Sequence, residues 1–153
     1  MKIFIFGGTG DLAARKLLPA LYRHHKAGRI SNETQIYGIG SRQIDTEQYR
    51  TDTKKHLRNY LEASEHTEQS LELFVLMVTY KRIDFNVAHD FHLLQKDTNS
   101  NNRNLFYLAV PPSFYKTIAD NLSEQSLIGP SSSIIVEKPI LSNFNEVKKL
   151  KKY

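Results

Sequence analysis

The feature that most constrains this chain is its start, where four apolar residues, Ile3-Phe4-Ile5-Phe6, run directly into Gly7-Gly8-Thr9-Gly10. The run is short and rich in β-branched and aromatic residues. That predicts a strand buried on both faces, and such strands belong to parallel sheets. From Asp11 to Gly28 the apolar spacing is helical, with Leu12, Leu17, Leu18, Leu21 and Tyr22 on one side. A buried strand, a glycine turn and a helix N-terminus together make a phosphate site. Glycine lets backbone approach a diphosphate, and the first free N–H groups, with the helix dipole, attract its charge. The spacing is G-x-x-G-x-x-A over Gly7, Gly10 and Ala13, not the commoner G-x-G-x-x-G/A. Gly7 would make the turn, Gly10 admit the diphosphate and Ala13 let helix and strand pack, with Gly8 additional. A strand-to-helix turn that binds nothing is the alternative.

Pro19, inside the first helix, predicts a kink or restart there, and Gly28 predicts its stop. Gln35–Gly40 reads as the second strand, its glycines permitting close approach of a ligand. It ends in Ser41-Arg42-Gln43, and the first acid is Asp45. In NAD-binding sheets a carboxylate here bonds the ribose hydroxyls, whereas an arginine accommodates a 2′-phosphate. Arg42 can grip that phosphate with a bidentate, charge-assisted pair, so NADP is expected over NAD; a solvated loop arginine is the alternative. Asp45 to about Glu62 reads as a helix, with Tyr49, His56, Leu57, Tyr60 and Leu61 as apolar contacts. Ser70–Met77 fits either helix or strand. Val78–Ile83 reads as a strand ending at Asp84, and Val87–Lys96 as a short amphipathic helix. Leu105–Val110 and Ser132–Val136 are further buried strands, closed by Pro111-Pro112-Ser113 and Glu137-Lys138-Pro139. Helices follow from Pro112 or Ser113 to about Ser126, and from Asn145 to Lys152.

Strands alternating with helices give an α/β fold, a doubly wound parallel sheet of Rossmann-like type in a single domain. Ligands of such sheets sit outside the carboxyl ends of the strands. Gly7–Gly10, Ser41–Arg42, Asp84, Ala109–Pro112 and Glu137–Pro139 all fall at such ends, so a single site is expected.

A chain of 153 residues fits one domain. It has no cysteine, which excludes disulfides, thiolate metal sites and a thiol nucleophile. No apolar run reaches membrane-spanning length, and the run after Lys2 is too short for a signal peptide. A cytoplasmic location without a membrane partner is the expectation. The formal net charge is +5, but the basic residues are dispersed apart from Lys148-Lys149-Leu150-Lys151-Lys152. A solvated surface ranks first, an anionic small molecule second and nucleic acid last, so no nucleic-acid partner is expected. His89 and His92 read as a solvent-facing helix pair, not as ligands, so no metal is expected.

Four stretches together resemble glucose-6-phosphate dehydrogenase over the whole chain. They are Phe6-Gly7-Gly8-Thr9-Gly10-Asp11-Leu12-Ala13; Arg15-Lys16 with Pro19; Phe106-Tyr107-Leu108-Ala109-Val110-Pro111-Pro112; and Ile134-Ile135-Val136-Glu137-Lys138-Pro139. The resemblance implies that residues 1–153 are the NADP-binding domain of an enzyme oxidising glucose 6-phosphate to 6-phosphogluconolactone in the pentose phosphate pathway. It implies that Gly7 through Ala13 hold the diphosphate and that Arg42, beside Ser41, takes the 2′-phosphate. Ala109, Pro111 and Tyr115 would line the cofactor groove, and Asp84 joins the cofactor set by its place at a strand end. Lys138 would touch substrate and cofactor, Lys16 would approach the sugar phosphate, and the Lys138–Pro139 bond is a candidate for a cis isomer. Ala14 stands where the family usually carries a lysine, and Ile140-Leu141 replaces its usual Phe-Gly.

The family's second domain carries the catalytic histidine in an Arg-Ile-Asp-His-Tyr-type stretch, so the base is expected beyond Tyr153. His24, His25, His56, His66, His89 and His92 all fall in expected helices or their flanks. Hydride transfer needs a base for the hydroxyl proton. The chain alone is therefore expected to bind NADP without full catalysis, and to expose apolar surface through which it self-associates. Two other readings stay open. A short-chain dehydrogenase would use Tyr-x-x-x-Lys, for which only Tyr22 and Lys26 serve, on the helix after the glycine turn. A non-catalytic nucleotide-sensing module would pair with a partner.

Overall fold

In the computed structural model, which describes residues 1–98 and 103–137, the opening apolar run is the middle strand of a five-stranded sheet. The strands are β1 (Lys2–Phe6), β2 (Gln35–Gly40), β3 (Val78–Arg82), β4 (Asn104–Leu108) and β5 (Ser132–Val136). Their order is β3-β2-β1-β4-β5, and every pairing is parallel. β1 takes the centre because its apolar side chains serve both faces. Ile3 and Ile5 pack into one core with Leu18, Tyr22, Leu71 and Phe74. Phe4 and Phe6 pack into a second with Ile39, Phe91, Ile118 and Leu122. Phe4 lies stacked between Tyr37 and Phe106, with ring centroids 4.8 and 5.0 Å away.

β5 departs from the expected fully buried strand. Ile134 and Val136 are half-buried against the second core and Ile135 is 37% exposed. β5 is an outer strand, and its other face has no such core among the described residues.

Residues 11–26 are helical, but the helix changes pitch. A π-helical turn, Ala13–Leu17, precedes α1 (Leu18–Lys26), and the Leu18 N–H donates to the Ala13 carbonyl five residues back. Pro19, with no N–H to give, occupies the first turn of the restarted helix, the position proline tolerates. Gly28 ends it in the left-handed region, φ 70°. The Gly28 N–H donates to the His25 carbonyl and the Arg29 N–H to the His24 carbonyl, a Schellman motif.

α2 (Thr46–Tyr60) starts at Asp45, whose Oδ1 accepts the Gln48 N–H at 2.8 Å. Tyr49, Leu57 and Leu61 are buried as expected, but Tyr60 is exposed and Thr53 faces inward instead. The ambiguous Ser70–Met77 stretch is mostly helix: α3 (Glu68–Val75) begins at a capping box of Thr67 and Ser70. Ala88–Leu94 is a 3-10 helix burying Phe91 and Leu94. Pro112–Phe114 forms a 3-10 turn that opens α4 (Tyr115–Glu124). No helix among the described residues is long and apolar enough to cross a membrane. Lys138, Pro139, Ile140-Leu141 and the expected Asn145–Lys152 helix lie outside the described residues.

Ion pairs tie the helices on one face of the sheet. Arg23 meets Glu65 at 2.6 Å, Arg58 meets Glu68 at 2.7 Å, and Lys54 bridges Glu68 and Glu72. Hydrogen bonds from Arg23 hold the Glu65 carboxyl at about 2, and those from Arg58 and Lys54 do the same for Glu68. Both values lie below the ordinary 4.5. A lowered folded-state value means stability present in full above the unfolded value and lost as pH falls from about 4.5 towards 2. Urea midpoints measured over that window are expected to fall more steeply in the unaltered chain than in Glu68→Gln.

Candidate functional site at the strand tips

The glycine turn after β1 is built by contact with its neighbours. Gly7 has φ 83°, and a Cβ there would stand 2.2 Å from the Ala109 carbonyl oxygen. The N–H groups of Gly7 and Gly8 both donate to the Ile39 carbonyl, at 2.9 and 3.0 Å. A Cβ on Gly8 would be 2.6 Å from the Gly38 Cα, and one on Gly38 would be 2.3 Å from the Tyr49 ring. The Tyr49 hydroxyl closes this stack by donating to the Gly8 carbonyl at 2.8 Å. Burial pushes that hydroxyl well above its ordinary range, so it stays a donor. Gly8 and Gly38 are therefore packing requirements.

Gly10 is different, since its Cβ would approach only the Gly7 carbonyl, at 3.1 Å. The first helical bond is from the Ala14 N–H to the Gly10 carbonyl, 3.1 Å. The N–H groups of Asp11, Leu12 and Ala13 precede it and belong to the set that a helix leaves unsatisfied. Ala13 is fully buried against the first core, which is the close packing its size permits.

The other strand tips continue the rim. After β2, Ser41 and Arg42 are exposed, and β3 holds their backbone. The Tyr80 hydroxyl donates to the Arg42 carbonyl at 3.0 Å, and Arg82 Nε donates to the Ser41 carbonyl at 3.3 Å. Thr9 adjoins the same strand end, its Oγ1 3.4 Å from where a Cβ on Gly40 would stand. Asp84 reaches the rim, but its carboxylate accepts the Asn86 N–H at 2.9 Å and so closes a turn. After β4, the Ala109 N–H extends the ladder to the Phe6 carbonyl at 2.8 Å, and Pro111 is exposed. Tyr115 is buried at the head of α4; burial, and then the charge of Glu137, raise its hydroxyl. Lys16 Nζ lies 3.7 Å from Glu137 Oε1, linking the first helix to the end of β5. Ala14 is buried, so no cation stands there. Lys138 lies outside the described residues.

Read along the sheet, the rim runs Arg82, Ser41–Arg42, the glycine turn, Ala109–Pro111, then Lys16 and Glu137. At about 4.8 Å per strand it is roughly 19 Å wide, the scale of an extended dinucleotide. The strand order reverses between β1 and β4, where Gly7 meets Ala109. Ligands of open α/β sheets bind at that switch point. Open backbone donors at the centre and guanidinium groups at one end fit an elongated, phosphorylated anion.

Other expected features fall elsewhere. Tyr22 is fully buried, its hydroxyl 3.1 Å from the Glu65 carbonyl and 2.7 Å from Ser70 Oγ. Lys26 also bonds the Glu65 carbonyl, so the Tyr22–Lys26 pair is structural. The rings of His89 and His92 pack edge to face with centroids 5.0 Å apart. Among the described residues no three or more His, Asp or Glu side chains converge as metal ligands. Tyr49, Tyr80 and Arg82 were not singled out as site residues by the sequence. For Tyr49 the available signal was Gly38, expected to give room to a ligand and occupied instead by the Tyr49 ring; Tyr80 and Arg82 carried none.

The family model for glucose-6-phosphate dehydrogenase, NAD binding domain, matches residues 4–153. The glucose-6-phosphate 1-dehydrogenase of Rhizobium meliloti is 34% identical over 138 residues, covering 89% of this chain and 28% of that protein. The enzyme of Mycolicibacterium smegmatis is 34% identical over 142 residues, covering 89% and 29%. The crystal structure of the Mycobacterium avium enzyme superposes with a TM-score of 0.86 at 25% identity, over 99% of this chain and 32% of that one. The chain thus spans about three tenths of the length of these relatives.

Gly7→Ala and Gly8→Ala each drive a Cβ into backbone and are expected to cost about 2 kcal/mol or more. Gly10→Ala, whose Cβ asks only a small shift of the Gly7 carbonyl, is expected to lower the Tm less than either. Thermal denaturation of the three variants, followed by circular dichroism, checks the contrast.

Proposed function

We propose that this chain, which belongs to the glucose-6-phosphate dehydrogenase family through its NAD-binding domain, binds NADP along the strand-tip rim. The observation that carries this reading is the glycine turn with the unsatisfied helix N–H groups that follow Gly10, at the switch point where Gly7 meets Ala109. The preference for NADP rests on the β2 tip. Arg42 is exposed there, and the nearest following acid, Asp45, spends its carboxylate on the Gln48 N–H. Among the described residues the β2 tip itself carries Ser41, Arg42 and Gln43 and no acid, and the Asp45 carboxylate is held at the start of α2 by that bond.

In this reading Gly7 through Ala13 seat the diphosphate, Ser41 and Arg42 hold the phosphorylated ribose, and Ala109 and Pro111 wall the nicotinamide side. Tyr115 supports that wall from the core, and Asp84 shapes the adjoining turn. Lys16 stands at the end where the sugar phosphate of the substrate would lie, and Lys138 is proposed to contact substrate and cofactor. The enzyme to which such a domain contributes oxidises glucose 6-phosphate to 6-phosphogluconolactone, and the cofactor supplies the hydride acceptor when bound. The histidines of this chain lie in helices or at a helical cap. None is assigned the proton of the reacting hydroxyl.

Isothermal titration of the 153-residue chain is expected to show tighter binding of NADP than of NAD. Arg42→Gln should weaken NADP by roughly 10–100-fold, the range of a charged hydrogen-bonded contact, and leave NAD nearly unchanged. Tighter binding of NAD would overturn the assignment. With glucose 6-phosphate added, the chain alone is expected to show no growth of NADPH absorbance.

A further inference from the structure

β3 contributes more to the rim than support. Arg82 is its last residue, paired in register with Gly40 at the end of β2. Its Nε bonds the Ser41 carbonyl at 3.3 Å, and this one bond consumes a single donor of the five in the guanidinium fork. The next carbonyl, that of Arg42, is held by the Tyr80 hydroxyl at 3.0 Å and by the Ile44 N–H at 3.1 Å. The two successive carbonyls are thus turned towards β3 and fixed, and each arginine is anchored through the same short loop. Both guanidinium charges also reach the Tyr80 hydroxyl, where they oppose the rise that burial imposes on it. Among the described residues neither Arg42 nor Arg82 has a carboxylate within ion-pair distance, whereas Arg15, Arg23, Arg50 and Arg58 are all paired. Two exposed, unneutralised guanidinium groups, one bonded to the Ser41 carbonyl and the other borne by the next residue, whose backbone is fixed, form a focus for a dianion at the outer end of the rim.

We infer that Arg82 is the second arm of a two-arginine clamp on the adenosine 2′-phosphate, opposite Arg42, and that β3 thereby helps set the preference for the phosphorylated cofactor. A monoester phosphate carries close to two charges near neutral pH and three acceptor oxygens. One bidentate arginine leaves part of that charge and at least one oxygen unmatched, and the free end of the Arg82 fork supplies both. The Ser41 carbonyl fixes where the second arm pivots. The inference rests on the nucleotide reading of the rim given above.

The test isolates the phosphate from the rest of the cofactor by using adenosine 2′,5′-bisphosphate and AMP as probes of the 153-residue chain. Arg82→Gln is expected to weaken the bisphosphate by roughly tenfold while AMP affinity and Tm hold. Raising the salt should weaken the bisphosphate more in the unaltered chain than in Arg82→Gln, since exposed charges are screened. Arg82→Lys, which keeps the charge and loses the fork, should recover part of the loss. If Arg82 only braced the loop, Arg82→Gln would weaken both probes by a similar factor, and that result overturns the clamp. If the unaltered chain prefers the bisphosphate and Arg82→Gln keeps the whole preference, the clamp fails while the cofactor reading stands. If the unaltered chain binds neither probe nor NADP, both fall together.

Discussion

Everything at the rim depends on one backbone-to-backbone approach, that of Gly8 to Gly38. A side chain on either residue would separate the turn after β1 from β2, because the first would strike a Cα and the second the Tyr49 ring. Contact at this range lets the Ile39 carbonyl accept two amides, from Gly7 and Gly8. It thereby fixes the direction in which the following helix leaves the sheet. Tyr49 fills the space that the missing side chain of Gly38 leaves, and its buried hydroxyl is satisfied by a bond to the Gly8 carbonyl. The turn held in this way leads directly into the helix start at the tip of β1, beside the switch point.

The same contact couples the two halves of the candidate site. The Tyr49 and Tyr80 rings lie 5.2 Å apart, and the Tyr80 hydroxyl holds the Arg42 carbonyl. A continuous path of packed groups therefore runs from the glycine turn through two tyrosines to the loop that carries the Arg42 guanidinium. The glycine turn and the Ser41–Arg42 loop are positioned by one assembly, so the spacing between them is set by the Tyr49 and Tyr80 rings and by backbone carbonyls.

Much of this could be read in advance from local chemistry. Apolar runs bounded by glycine or proline announced β1, β2 and β4, and the missing N–H of Pro19 announced the break at the π-helical turn. Gly28 announced the helix stop, and Arg42 in place of an acid announced the character of the β2 tip. What escaped was tertiary. Asp84 looks like a free strand-end acid until its carboxylate is seen closing a turn, and β5 reads as buried until its place at the outside of the sheet is known. Arg82 carried no signature, because a cation at the end of an outer strand is ordinary; only the neighbouring Ser41 carbonyl gives it a direction. The Ala88–Leu94 segment has amphipathic spacing compatible with either helix type, and the tighter 3-10 form emerges with Phe91 and Leu94 set into the second core.

The strand order also dictates a sequence of events in time. β1 is synthesised first and sits in the middle, yet its partners arrive far apart: β2 about thirty residues later and β4 about a hundred. Pairings over such separations carry the loop-closure cost that slows folding. On a ribosome, Phe4 and Phe6 must wait, unpaired along one edge, until Phe106 has cleared the exit tunnel. The apolar run that centres the sheet is therefore the last to gain both of its neighbours, a delay that comes from topology and not from any weakness in the finished sheet.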